Sequence, residues 1–185
     1  MLTEKEKCAL GELYDANYDP ELIRERTDCA EMLCDYNRLP PSMDEDRDSL
    51  IKIILGKTGN NIKILSPFYC DYGYNIEVGK NFFMNVNCVI LDEAKVVFGD
   101  NVFVAPNCGF YTAGHPFDTE KRRAGLEYAK PIRIGNDVWI GAGVSVLPGV
   151  TIGDKCVIGA GSVVTHDIPS DSLAVGNPCI VIRNI

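Results

Sequence analysis

The sequence predicts a mainly β fold, a parallel β-helix with a small N-terminal helical region and one extended loop. Three observations lead to this prediction. Aliphatic residues recur at every sixth position from Ile134 to Val164, Gly, Asn and Val are abundant beyond residue 60, and no long helical period continues there. A period of six fits neither an amphipathic helix nor a hairpin. It fits a triangular solenoid with one short strand per hexad and about three hexads per coil.

Residues 1–58 are predicted to form an N-terminal helical segment, because apolar residues recur there at helical spacing. The first helix is expected from Glu4 to Tyr14, and Pro20 opens the second. In the third, Ser42 and Glu45 have the spacing of a capping box. We expect this segment to act as a lid beside the solenoid.

Residues 59–185 are predicted to form the β-helix domain, with the periodic side chains pointing into a prism. The unbroken block is Ile134, Ile140, Val146, Ile152, Ile158 and Val164. An upstream block with the same period is Tyr72, Val78, Met84 and Ile90. After a two-residue slip at 93–97, the period resumes at Phe98, Val104 and Phe110. Gly and Asn between these positions suit corners, where a positive φ is often needed.

Two segments interrupt the repeat. Residues 112–130 are polar and break the period, and a long irregular loop leaving a rigid scaffold is usually functional. Residues 167–185 contain two prolines and form the predicted C-terminal cap, in which Ile180 and Val181 are expected to close the open end of the prism.

Composition excludes some classes of partner. The formal net charge of −8 gives no general attraction to nucleic acid or to anionic lipid, so neither is an expected partner. No apolar run is long enough to span a membrane, and the N-terminus lacks a signal-peptide core, so a cytoplasmic protein is predicted. The eight cysteines have no metal-finger spacing, and most are expected to be packing residues in a reducing compartment.

Five ordered motifs cover nearly the whole chain. They are GELYDA (11–16), CDYGYNIEVGKNFFMNVNCVILD (70–92), AGHPFD (113–118), the repeat block (131–169) and GNPCIVIR (176–183). Together they resemble the maltose and galactoside O-acetyltransferases of the hexapeptide-repeat family. The resemblance implies a left-handed parallel β-helix and transfer of an acetyl group from acetyl-CoA, as co-substrate, to a sugar hydroxyl. It implies no metal.

The resemblance implies catalytic roles for His115 and Asn85. His115 is one of only two histidines and precedes Pro116 in the period-breaking loop. A sugar hydroxyl is a poor nucleophile until a base with a suitable pKa removes its proton. A surface histidine without function is the alternative. Asn85 corresponds to a residue that contacts the acceptor and stabilises the tetrahedral intermediate, but a corner position would also explain an asparagine.

The resemblance also implies an acceptor site at Asp71, Asn85 and Glu93, completed by Asp15 and Arg26 from the N-terminal segment. Galactoside enzymes carry Ser and Asp where this chain has Asp71 and Glu93, and Asp71 fits the maltose branch. This difference leaves the acceptor open among maltose or glucose, a galactoside and a polysaccharide sugar.

Acetyl-CoA is expected to lie along the repeat block. The resemblance places its contacts at Trp139, Ala142, Ala160, Thr165, His166 and Arg183. Trp139 begins no hexad and is therefore predicted to point outward. Relatives carry Lys where this chain has His166 and Arg where it has Ile180, so weaker binding of CoA is expected.

In relatives, three chains pack around an axis and each active site lies between two prisms, so the resemblance implies a homotrimer. Three alternatives have to be weighed. A hexapeptide acetyltransferase for an antibiotic or for serine would differ in the N-terminal segment and in residues 70–76. A carbonic anhydrase of the same fold needs three zinc-binding histidines, and this chain has two in all. A non-catalytic scaffold would have no use for a histidine-bearing loop.

Overall fold

The computed structural model describes residues 2–185. Its helices are α1 Glu4–Ala9, α2 Pro20–Arg38, α3 Asp44–Ile54 and α4 Thr119–Arg123. Its strands are β1 Tyr14–Asp15, β2 Lys57–Thr58, β3 Lys63–Ile64, β4 Phe68–Cys70, β5 Ile76–Val78, β6 Phe83–Met84, β7 Cys88–Leu91, β8 Val96–Phe98, β9 Phe103–Val104, β10 Gly109–Tyr111, β11 Ala113–Gly114, β12 Leu126–Ala129, β13 Ile132–Ile134, β14 Trp139–Ile140, β15 Ser145–Val146, β16 Thr151–Ile152, β17 Val157–Ile158, β18 Val163–Val164, β19 Ser172–Val175 and β20 Ile180–Asn184.

Three sheets form the faces of a triangular prism. The first face has the order β16-β13-β8-β5-β2, the second β20-β19-β17-β14-β9-β6-β3 and the third β18-β15-β10-β7-β4. Neighbouring strands within each face are parallel, except for the antiparallel pair β19 and β20. Successive strands of the chain move from one face to the next. The predicted left-handed parallel β-helix is confirmed.

The core is a stack of side chains along the inside of the prism. Ile140, Val146 and Ile152 are fully buried, as the six-residue period predicts. Each such side chain stabilises the fold by roughly 1.5–3 kcal/mol through removal from water. The aromatic rings of Phe82, Phe98 and Phe110 pack in succession within this stack, with neighbouring ring centres 5.0 Å apart. Six of the eight cysteines are buried, in agreement with their predicted packing role.

A ladder of polar side chains marks one corner of the prism. Asn61, Asn81, Asn101 and Asp137 all have positive φ, between 54° and 58°. The amide of each asparagine donates to the side-chain oxygen of the next member at 2.9 Å. Asparagine tolerates this conformation better than most residues, because its short polar side chain bonds locally. The expected use of Asn at corners is confirmed.

Coil length differs between the two halves of the solenoid. Stacked residues are 20 positions apart in the first coils and 18 apart in the last. Cys70 pairs with Ile90, so the core position in that coil belongs to Cys70. The prediction that Tyr72 occupies it was wrong, because two extra residues lie between Cys70 and Val78. Tyr72 instead packs against Tyr14 under the N-terminal segment.

The extra residues all lie at the corner between the third and first faces. We call this the extended corner, made of residues 71–75, 92–95 and 112–131. The corner that precedes it along the chain, between the second and third faces, has short turns at residues 85–87, 105–107, 141–143 and 159–161, and we call it the narrow corner. The extended corner therefore has room for a site that the narrow corner lacks.

The N-terminal segment differs from prediction at two points. The first helix ends at Ala9 rather than at Tyr14, because Gly11 at φ +73° turns the chain into strand β1. The third helix has Met43 as its N-cap, without a side-chain capping bond, so the predicted capping box of Ser42 is wrong. None of the helices within residues 2–185 is long and apolar enough to cross a membrane.

The C-terminal strands form a hairpin on the second face. Ile180 and Val181 are 60% and 40% exposed, so the prediction that they close the prism was wrong. After Pro178 the chain runs back antiparallel to β19, which directs these side chains away from the core. Cys179 is buried in their place, and its N–H donates to Val163 O at 2.8 Å.

Candidate active site

The period-breaking residues 112–130 form an ordered hairpin at the extended corner rather than an irregular loop. Strand β11 pairs with β12, and β12 pairs with β1 from the N-terminal segment. Helix α4 lies at the tip, where the Asp118 carboxylate accepts the N–H groups of Glu120 and Lys121. The hairpin therefore joins the solenoid and the N-terminal segment in one sheet.

His115 follows β11 and is held by backbone contact. Its Nδ1 lies 3.2 Å from Leu126 O. Because a carbonyl oxygen can only accept, the proton of a neutral imidazole bonded in this way is on Nδ1, and Nε2 is the basic nitrogen. Nε2 lies 3.8 Å from Glu127 Oε1, and the side chain is 49% exposed. This arrangement leaves Nε2 available to a bound molecule, with a carboxylate beside it.

Asp92 fixes the backbone of the extended corner. Its Oδ1 accepts the N–H groups of Asp71 and Tyr72 at 3.0 and 2.9 Å, while Oδ2 has no partner among the atoms of residues 2–185. Asp92 is 0% exposed. Burial raises the pKa of this carboxyl to about 6, although the two N–H donors oppose the rise.

Glu93 lies next to Asp92 and faces the hairpin. Its Oε2 is 3.1 Å from the Thr112 hydroxyl. Burial raises the pKa of the Glu93 carboxyl to about 9, and the hydrogen bond and negative charge of Asp71 raise it further in the same direction. The protonated form of Glu93 is therefore favoured, and in that form the carboxyl group can donate a hydrogen bond. Asp71 and Glu93 lie together at this corner, as expected for two residues of one site.

Arg26 reaches the extended corner from helix α2. It donates to Tyr72 OH and to Ala16 O, both at 2.6 Å. Burial opposes the charged form, but Tyr72 and the Asp71 carboxylate outweigh it and keep the pKa of Arg26 raised. Asp15 also lies here, paired with Leu126 across the sheet, but its carboxylate accepts backbone N–H groups of its own turn.

Asn85 lies at the narrow corner, apart from His115 in the same chain. Strand β7 separates it from Asp92, and four residues of strand span about 13 Å. The Asn85 Oδ1 accepts the N–H of Val86 at 2.8 Å. Ala142 and Ala160 stack at this corner one coil apart, and both are exposed.

The remaining candidates lie on three different parts of the prism. Trp139 points outward from β14 and is 57% exposed, as predicted. Thr165 and His166 follow β18 on the prism edge that continues from the extended corner, two coils beyond residues 112–131, and the Thr165 hydroxyl lies 2.8 Å from His166 Nδ1. Arg183 is exposed on β20. One chain thus groups Asp71, Glu93, His115, Asp15 and Arg26, but it does not bring Asn85 or the expected CoA contacts to them.

Three residues of this corner were not selected from the sequence as parts of a site. Glu127 lies beside the His115 imidazole, Thr112 contacts Glu93, and Tyr72 contacts Arg26. In the sequence, Glu127 and Thr112 lie in the same period-breaking segment as His115, and this was the feature that could have indicated a role in the site. Nothing in the sequence indicated that Leu126, eleven positions after His115, would return to it across a hairpin.

Two family models match the chain. The maltose acetyltransferase hexapeptide capping motif matches residues 7–59, and the bacterial transferase hexapeptide model of six repeats matches residues 131–166. A Saccharomyces cerevisiae protein whose acetyltransferase assignment is provisional is 57% identical over 97% of this chain and 92% of its own length. The galactoside O-acetyltransferase of Escherichia coli K12 is 49% identical over 83% of this chain and 76% of its own length.

Solved structures agree over the whole chain. A maltose O-acetyltransferase from Clostridium difficile 630 is 49% identical with a TM-score of 0.97, covering 100% of this chain and 98% of that one. A galactoside acetyltransferase in complex with coenzyme A is 43% identical with a TM-score of 0.96, covering 100% of this chain and 92% of that one.

The family models and the similar structures, together with the left-handed β-helix of hexapeptide repeats, place the chain among the hexapeptide-repeat acetyltransferases. Within that class, the chain belongs to the maltose/galactoside O-acetyltransferase family, and it is an acetyltransferase of that type.

Proposed function

We propose that the protein transfers the acetyl group of acetyl-CoA to a hydroxyl group of a sugar, with His115 as general base. The observation that carries this proposal is the hydrogen bond between His115 Nδ1 and Leu126 O. It assigns the proton to Nδ1, so that Nε2 is the atom able to take a proton from an acceptor hydroxyl.

The chemical step needs no covalent intermediate on the protein. As Nε2 takes the hydroxyl proton, the acceptor oxygen attacks the thioester carbonyl and forms a tetrahedral intermediate. The carbon–sulfur bond then breaks, and the imidazolium returns the proton to the departing thiolate. The products are an acetyl ester and free CoA thiol. Glu127, 3.8 Å from Nε2, stabilises the positive charge that His115 carries between these two events.

Polar groups of the extended corner support a polyhydroxyl acceptor. The Asp71 carboxylate can accept hydrogen bonds from sugar hydroxyls, and the protonated Glu93 can donate one. Arg26 donates from the side of the N-terminal segment. A site with both donors and acceptors suits a molecule whose hydroxyl groups do both, whereas an apolar antibiotic ring would leave these groups unpaired.

The narrow corner suits the slender part of the donor. Ala142 and Ala160 present small exposed side chains on successive coils, where a thin chain can lie against the backbone. Neighbouring structures of this family are complexes with coenzyme A and with acetyl-CoA. We therefore extend acetyl-CoA to this chain as its acetyl donor, with no metal in the reaction.

The proposal includes a homotrimer in which two chains complete each site. His115 and Glu93 lie at the extended corner, whereas Asn85, Ala142 and Ala160 lie at the narrow corner, with a strand of about 13 Å between the two. A rigid prism cannot close that distance, so the narrow corner of a second copy has to approach the extended corner of the first. Asn85 of one chain would then face His115 of another.

The first experiment measures thiol release from acetyl-CoA with glucose, maltose, galactosides, serine and chloramphenicol as acceptors. We expect sugar-dependent release in the wild type and a fall in kcat of at least about 100-fold in His115→Ala. His166→Ala is the matched control, because it removes the other histidine and is expected to change only KM for acetyl-CoA. Equal release by wild type and His115→Ala would refute the role of His115.

The second experiment tests the shared site. His115→Ala and Asn85→Ala are each expected to be inactive, but co-assembled chains should regain activity. Each site takes its extended corner from one chain and its narrow corner from another. In randomly mixed trimers, about one site in four therefore contains both His115 and Asn85. Recovery of about a quarter of wild-type activity supports the shared site, and no recovery in mixed trimers contradicts it.

A further inference from the structure

A cavity lies beside the proposed acceptor site, and Glu93 lines part of its wall. It has a volume of about 570 Å³ and opens between helix α1, strand β1 and the extended corner. This volume is within the range of small-molecule sites. His115, Asp71 and Arg26 do not line it, whereas Glu93 and Tyr72 are shared between this cavity and the proposed acceptor site.

Most of the wall is apolar. It is formed by Cys8, Leu10, Tyr14, Leu22, Ala94 and Ala129. Tyr14, Leu22 and Ala129 are otherwise buried. Burial also raises the pKa of the Cys8 thiol, which stays neutral. An apolar wall of this kind favours binding of an apolar group, because both apolar surfaces are removed from water.

The rim carries four basic side chains, of which two are neutralised. Lys5 pairs with Glu25 at 2.7 Å, and Lys95 pairs with Glu77 at 2.8 Å. Lys130 and Arg133 also line the cavity, and within residues 2–185 neither has a carboxylate oxygen closer than 4.0 Å. The Lys130 Nζ lies 5.8 Å from the centre of the Tyr128 ring, and neither cation has a carboxylate partner in the described part of this chain, whose formal net charge is −8.

Glu93 is the carboxyl group that lines this cavity. Burial and the neighbouring Asp71 raise its pKa, which favours the neutral form and weakens its repulsion of an anion. Tyr74 and Asn75 add a hydroxyl and an amide to the wall. The cavity thus combines an apolar interior with a basic rim, and Glu93 is the one carboxyl group among the described residues of its lining.

We propose that this cavity binds a small amphiphilic carboxylate, with an apolar body the size of a medium-chain acyl group and its anionic head held by Lys130 and Arg133. A carboxylate can bond to a guanidinium with two oxygens, and an ammonium beside it adds a second charge-assisted contact. This inference does not depend on acetyl transfer, because it concerns binding alone.

The test is titration calorimetry of the full chain with octanoate, 1-octanol and octylamine, which share one apolar body and differ in charge. We expect one octanoate per chain, bound at least about tenfold more tightly than either other compound. Lys130→Gln with Arg133→Gln should weaken octanoate binding at least about tenfold. Arg38→Gln with Lys52→Gln is the matched control, since it removes the same charge from exposed positions on α2 and α3.

A third variant tests the apolar body. Ala94→Leu fills the cavity without changing charge and should weaken octanoate and octanol alike. Thermal unfolding midpoints establish that each variant is folded. The proposal is overturned if octanoate does not bind the wild type, if octanol binds as tightly as octanoate, or if the variant lacking Lys130 and Arg133 binds octanoate like the wild type.

Discussion

The buried carboxyl group of Asp92 should make folding stability fall as pH rises. Burial raises its pKa from 3.8 to about 6 in the folded chain. Between these values the folded state keeps a proton that the unfolded state has lost, so stability is fully present below about pH 4 and is lost as pH rises through 6. The shift of about two units corresponds to a loss of about 3 kcal/mol in the free energy of unfolding.

Asp92→Asn isolates this effect. The amide oxygen can still accept the N–H groups of Asp71 and Tyr72, but the side chain no longer ionises. We expect the free energy of unfolding of the variant, relative to the wild type, to rise by about 3 kcal/mol between pH 4 and pH 7.5. The contribution of Glu93 belongs to both proteins and largely cancels in the difference.

Urea unfolding at fixed protein concentration, at half-unit steps of pH, measures this difference. Asp100→Asn is the matched control, because Asp100 accepts the backbone N–H of Lys80 at a partly exposed corner. The control should follow the wild type across the range. A difference between Asp92→Asn and wild type that stays constant with pH, or falls, would refute the assignment of a raised pKa to burial.

Three further predictions concern the solenoid and the hairpin. Gly79→Ala should lower the free energy of unfolding by more than about 3 kcal/mol in urea titration, because the added Cβ would lie 2.4 Å from Gly99 O. Gly143→Ala is the control. Its Cβ meets no atom within 4 Å, so it should cost only about 1 kcal/mol for its positive φ. Asn81→Ala should cost about 3 kcal/mol, of which about 2 come from two lost ladder hydrogen bonds and about 1 from alanine at φ +54°. Asn81→Asp still accepts one of these bonds and should cost less. Glu127→Gln removes the negative charge beside His115 Nε2 and should therefore lower kcat about tenfold in the thiol-release assay, with KM for acetyl-CoA unchanged. An unchanged kcat would show that Glu127 does not stabilise the charged His115.

The hexapeptide period was sufficient to predict the prism. Each hexad places its aliphatic residue inside by local alternation, so Ile140 and Ile152 could be assigned to the core one repeat at a time. The outward direction of Trp139 followed from the same rule. The prediction for Tyr72 was wrong because Tyr72 lies six residues before Val78 and so fits the period. The structure shows that two extra residues lie between Cys70 and Val78, so that Cys70 takes the core position. Sequence spacing alone does not reveal this insertion.

The ends of the chain were predicted less well. Ile180 and Val181 look like core residues in the sequence, but hydrogen bonding to β19 places their strand outside the prism. Ser42 and Glu45 have the spacing of a capping box, yet the helix begins one residue later than such a cap requires. For Ile180 and Val181, pairing with another strand outweighed a local preference.

The sequence by itself determined the repeat, the direction of the core side chains, the position of the histidine-bearing segment and the family resemblance, because all of these depend on residues close together along the chain. Only the tertiary structure decided that His115 Nδ1 meets Leu126 O, that Asp92 is buried beneath Asp71, and that Asn85 lies at another corner. These relations join residues on different coils or strands. Stacking and strand pairing set such distances, and no local spacing in the sequence encodes them.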